Sequence, residues 1–122
     1  MAKILVIDDS GYQRSIIRQL LSSDGHQVIE APDGIEGLAA AKREQPALIL
    51  TDIVMPKMQG MEFLQKMKDE KIAIPVVVVT ADIQETTLKQ CHNLGAVGLV
   101  NKPLKGAALD TLRNLIKVYA EG

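Results

Sequence analysis

The sequence predicts an α/β fold, a doubly wound five-stranded parallel sheet with helices on both faces. Three observations carry this prediction. Short apolar runs alternate five times with longer amphipathic stretches. The runs are continuously apolar and rich in β-branched residues, as in strands buried on both faces. At 122 residues the chain suits one domain, residues 1–122, built from five βα units.

Residues 3–8 (KILVID) read as the first strand. A helix follows over 12–22, with Ile16, Ile17, Leu20 and Leu21 at helical spacing and Asp24-Gly25 as its stop. Residues 27–31 (QVIEA) form a second strand, and Pro32-Asp33-Gly34 turns into a helix over 34–44 with Ile35, Leu38, Ala39 and Ala41 facing inward. Pro46 precedes the third strand, 47–51 (ALILT), and residues 55–60 (MPKMQG) form a loop before a helix near 60–70. Pro75 opens the fourth strand, 76–80 (VVVVT), and the helix over 84–93 ends at Gly95. The fifth strand covers 97–101 (VGLVN) and the last helix runs from about 106 to 119.

Composition narrows the function. Fourteen Lys and Arg against fifteen Asp and Glu give a formal charge of −1, which argues against nucleic acid or an acidic membrane as partner. Tyr12, Phe63 and Tyr119 are the only aromatic residues, too few for a base-stacking platform. A single cysteine, Cys91, precludes an internal disulfide and suits a reducing, cytoplasmic setting. The opening MAKILVIDDS is not a signal peptide, because two carboxylates interrupt its short apolar run. No apolar stretch approaches the ~18 residues of a membrane span.

In open α/β sheets the functional site lies beyond the carboxyl ends of the strands. Here those positions hold Asp8, Asp9, Asp52, Thr80 and Lys102. Each Asp alone could merely cap the following helix or start a turn. Together, from neighbouring strands, three carboxylates would crowd one volume and repel. Lys102 offers one compensating charge. A hard divalent cation such as Mg²⁺, which prefers oxygen ligands, would supply two more. With the Thr80 hydroxyl, such a set suits phosphoryl transfer, where catalysis is mostly positioning and charge neutralisation.

The runs VIDDS at 6–10, TDIVMPKMQG at 51–60, VVVTA at 77–81 and NKP at 101–103 resemble the receiver domain of two-component response regulators, in size the single-domain chemotaxis CheY type. The resemblance implies the strand order 2-1-3-4-5. It implies that Asp52 accepts a phosphoryl group from a sensor histidine kinase, and that Asp8, Asp9, Asp52 and the Val54 carbonyl serve Mg²⁺. Thr80 and Lys102 would contact phosphoryl oxygens, small Ala81 would leave the pocket open, and the Lys102–Pro103 bond would be cis. The protein would be no enzyme beyond its own phosphorylation and dephosphorylation. Its output would be a downstream protein bound by the face of helix 4, strand 5 and helix 5. Val54 and Asp82 would set the lifetime of the acyl phosphate. Leu99 and Leu104 stand where many receivers carry aromatic residues, so a rotating aromatic switch is not expected.

Other residues have plainer readings. His26 and His92 lie too far apart for a metal pair and suit surface or capping roles. Cys91 reads as a small buried helix residue, and Met55, Met58, Met61 and Met67 as packing beside Phe63. Gly34 and Gly37 lack the spacing of a phosphate loop. Lys66, Lys68 and Lys71 interleave with Asp69 and Glu70 as a solvated face. Three alternatives remain. One is a receiver that is part of a longer regulator. A haloacid-dehalogenase-like phosphohydrolase would need Asp-x-Asp on its first strand and a cap. A flavodoxin-like electron carrier would need a non-acidic phosphate loop.

Overall fold

The computed structural model describes every residue except Pro56, Asp82, Ile83 and Gly122. The expected role of Asp82 therefore lies outside the described residues. In chain order the elements are β1 (Lys3–Ile7), α1 (Gly11–Ser23), β2 (Gln27–Ala31), α2 (Gly34–Glu44), β3 (Leu48–Thr51), α3 (Gly60–Asp69), β4 (Val76–Thr80), α4 (Glu85–Asn93), β5 (Gly98–Asn101) and α5 (Ala107–Tyr119). The strands form one parallel sheet in the order β2-β1-β3-β4-β5. The switch in order falls between β1 and β3, which the structure pairs from Ile4↔Leu48 to Ile7↔Thr51.

The period-2 alternation of strand side chains divides the core into two layers. Leu5, Ile7, Ile49, Val76 and Val78 point to one face, where Leu38 of α2, Phe63 and Leu64 of α3 and Cys91 of α4 cover them. Ile4, Val6, Leu48, Leu50, Val77 and Val79 point to the other, under Ile17 and Leu21 of α1 and Leu112 and Ile116 of α5. Both faces of the central strands are thus buried, which is why β1, β3 and β4 read as nearly unbroken apolar runs.

Two expectations need correction. Ile35 is 51% exposed and Ala39 is also exposed; the inward face of α2 is Gly34, Gly37, Leu38, Ala40 and Ala41. Glycine is chosen there for space, since a Cβ on Gly37 would lie 2.4 Å from Ile7 Cδ1. His26 is not at the surface. It is buried, and its Nδ1 accepts the Ala2 N–H at 3.0 Å, closing the N-terminal side of the sheet. Cys91, Met55, Met58 and Met67 are buried as expected, and Lys66, Lys68 and Lys71 are exposed. The Lys102–Pro103 peptide is cis.

Gly60 starts α3 against the end of β3. A Cβ there would sit 2.5 Å from the Asp52 carbonyl oxygen and 2.8 Å from Ile53 Cα. Backbone atoms cannot rotate aside, so Gly60→Ala is expected to lower stability by about 2 kcal/mol through overpacking. Urea denaturation of the two proteins measures this, and a change near zero would show that the loop yields.

Candidate functional site

Register explains why the acidic residues meet. Ile7 pairs with Thr51, so Asp8 and Asp52 leave adjacent strands at the same level. The Asp52 N–H donates to Ile7 O at 3.1 Å and the Asp8 N–H to Ala31 O at 3.1 Å, which extends the ladder by one residue on each strand. Capping does not consume these carboxylates. Ser10 is the N-cap of α1 and its Oγ accepts the Gln13 N–H at 3.2 Å. Asp8 Oδ1 accepts the Ser10 N–H at 2.9 Å, and Asp52 Oδ1 accepts the Ile53 N–H at 2.6 Å.

The remaining oxygen of each carboxylate turns to one ammonium. Lys102 Nζ lies 2.7 Å from Asp8 Oδ2 and 2.7 Å from Asp52 Oδ2. Thr80 is buried at the end of β4, and its carbonyl accepts the Lys102 N–H at 2.9 Å, which ties the two strand ends together. A shallow opening beside Lys102 is lined by Gln13, Ile16, Ala81, Pro103, Leu104 and Lys105. Val54 is 65% exposed in the loop after β3.

Asp9 sits differently from its neighbour. Asp8 is 2% exposed, whereas Asp9 is exposed to solvent. Among the described residues no group of three or more His, Cys, Asp or Glu side chains stands in metal-holding proximity. The carboxylates that converge are Asp8 and Asp52, bridged by Lys102. With Asp9 next to Asp8 in the chain, three carboxylates against one ammonium leave an excess of two negative charges. A divalent cation fits that excess, and the donor atoms are all hard oxygens of the kind Mg²⁺ takes.

Burial would lower the Lys102 pKa, but the hydrogen bonds and charges of Asp52 and Asp8 outweigh it and hold the ammonium above the ordinary lysine value. Because the folded value is raised, the stabilisation is complete below the unfolded-state lysine pKa and is lost as pH rises through the folded one. Urea denaturation at increasing pH through the ordinary lysine range, ~10.4, should show stability falling more steeply in wild type than in Lys102→Met. Parallel curves would contradict the double pairing.

Arg14, which no motif in the sequence marks, also reaches the site. Its Nη1 donates to the Asp8 carbonyl oxygen at 2.6 Å while its Nε donates to Glu30 Oε1 at 3.2 Å. The signal available was position: Arg14 lies one turn into α1, directly above the end of β1.

A 2-1-3-4-5 parallel sheet with acidic residues after β1 and β3, a threonine ending β4 and a lysine after β5 defines the class of CheY-like receivers. The sequence pattern of the response regulator receiver domain matches residues 4–114, and the chain belongs to that family. Similar proteins include PilH of Pseudomonas aeruginosa, 40% identical over 106 residues that span 85% of this chain and 88% of PilH. Sporulation initiation phosphotransferase F of Bacillus subtilis is 31% identical over 96% of this chain and 92% of its own length. Among solved structures, chemotaxis protein CheY4 of Vibrio cholerae superposes with a TM-score of 0.83 at 32% identity, covering 93% of this chain and 98% of CheY4. The protein is therefore a receiver module of two-component signal transduction. No helix among the described residues is long and apolar enough to cross a membrane.

Proposed function

We propose that Asp52 is the phosphoacceptor of this receiver and that its phosphorylation by a sensor histidine kinase controls binding of a downstream protein in the cytoplasm. The observation that carries this reading is the position of Lys102 Nζ, 2.7 Å from both Asp8 and Asp52 at the carboxyl ends of the strands. A carboxylate oxygen of Asp52 attacks the phosphorus of the donor. The phosphorus–nitrogen bond of the phosphohistidine breaks, and the imidazole leaves with the electron pair and takes a proton. Lys102 stays charged and pairs with a phosphoryl oxygen, and Thr80 supplies a hydroxyl to another. Asp8, Asp9, Asp52 and the Val54 carbonyl would hold Mg²⁺. When bound, it supplies neutralisation of the phosphoryl oxygens' charge.

Phosphorylation adds about one negative charge at Asp52. Lys102 and Thr80 end the strands that feed α4 and α5, so the α4–β5–α5 face is the output surface of this reading. Leu99 lies half-buried on that strand and packs against the core layer under α2, α3 and α4. It has no hydroxyl to find a partner outside, so the switch is a shift of Thr80 and Lys102 rather than the turn of a ring.

Acetyl phosphate, a donor of the same chemistry, tests the reading without a kinase. Wild type with Mg²⁺ should gain one phosphoryl group by intact mass, and chelation of the metal should reduce uptake by about a hundredfold. Equal uptake with and without chelator would overturn the metal assignment.

A further inference from the structure

Asp8 is held at each of its polar atoms. Its N–H donates to Ala31, its Oδ1 accepts from Ser10 and its Oδ2 takes Lys102. Its carbonyl oxygen takes Arg14 Nη1 at 2.6 Å. That last contact is unlike the rest, because a helix side chain reaches down to the backbone at the end of a buried strand. Arg14 is itself held. Its Nε donates to Glu30 Oε1 on β2 at 3.2 Å, and Glu30 Oε2 takes Arg18 Nη1 at 2.7 Å. Arg14 and Glu30 side chains are only 21% and 26% exposed, so solvent screens the pair weakly. The rigid guanidinium fork lets one side chain serve carboxylate and carbonyl together.

We propose that Arg14, anchored by Glu30, is a positioning residue of the phosphoacceptor site, and that it fixes the end of β1 at the Asp8 carbonyl and with it the orientation of the Asp8–Asp9 segment toward a bound cation. This rests on the assignment of Asp8 and Asp9 to Mg²⁺. Charge and positioning predict opposite signs. A guanidinium close to a cation site repels the cation, so its removal should tighten Mg²⁺ binding if charge alone acted. Loss of a group that orients a ligand should weaken it.

The experiment compares wild type, Arg14→Ala and Arg14→Lys by calorimetric titration with Mg²⁺ alone and by amide hydrogen exchange of the metal-free proteins. Arg14→Ala is expected to weaken Mg²⁺ binding by about tenfold, the lower end for residues that orient metal ligands. Arg14→Lys, which keeps the charge without the fork, should fall between. In metal-free Arg14→Ala the Ser10 amide should exchange at least about tenfold faster, relative to Val78 in the centre of the sheet, because Asp8 no longer holds it in place. Binding unchanged or tighter in Arg14→Ala, or acceleration equal at Ser10 and Val78, would overturn the proposal and leave Arg14 as a general brace. Wild type that binds no Mg²⁺ would instead overturn the assignment of the metal site, and the exchange ratio would still decide whether Arg14 fixes the end of β1.

Discussion

Asp52→Asn is expected to lose at least about a thousandfold in phosphoryl uptake, the scale of removing a covalent nucleophile. An amide carries no charged oxygen to attack phosphorus. The substitution should leave the fold intact, because Asn Oδ1 can still accept the Ile53 N–H that Asp52 holds at 2.6 Å. Lys102 keeps its bond to Asp8 at 2.7 Å. Removing one of the two carboxylates around Lys102 also lessens the excess negative charge. Stability should therefore change by no more than about 1 kcal/mol, the net value of a single hydrogen bond. Acetyl phosphate labelling and urea denaturation measure the two effects separately. An unstable variant would mean that Asp52 has a structural role beside the chemical one.

Lys102→Ala should act on both quantities. It leaves Asp8, 2% exposed, and Asp52 facing each other with no cation between them. Removing one partner from a buried ion pair leaves uncompensated charge, and stability is expected to fall by about 3 kcal/mol. Phosphoryl uptake should fall by about a hundredfold, as for the loss of one charge-stabilising donor. The two defects differ in how they respond to metal. Mg²⁺ should stabilise the variant more than wild type, because the carboxylates then carry a larger unbalanced charge. A stability loss below about 1 kcal/mol would place the pair in the class of screened surface bridges.

Much of this was legible in the sequence because the sheet is buried on both faces. Continuous runs such as VVVVT mark strands; Asp8, Asp52 and Lys102 follow directly on such runs and Thr80 ends one. Asp8, Asp52, Thr80 and Lys102 accordingly fall at strand ends, where the reading put them. What the sequence concealed depends on side-chain direction. Asp9 follows Asp8 by one residue and turns outward, so the crowding expected of three carboxylates reduces to two around one lysine. In α2, Leu38 and Ala41 face inward as expected, but Ile35 and Ala39 do not, because Gly34 and Gly37 share the inner face and glycine gives no hydropathy signal. The burial of His26 gives no local signal, because its partner, the Ala2 N–H, lies twenty-four residues away, just before β1. Arg14 and Glu30 lie sixteen residues apart, and only the pairing of β1 with β2 under α1 brings them together.

The most direct test is to locate the phosphoryl group. Borohydride reduces an aspartyl acyl phosphate to homoserine, so wild type treated with acetyl phosphate and Mg²⁺, then reduced and digested, can be read residue by residue. The account predicts homoserine at position 52 alone, absent without donor. Homoserine at position 8 or 9, or a phosphoryl group carried on His26 or His92 with Asp52 intact, would contradict it.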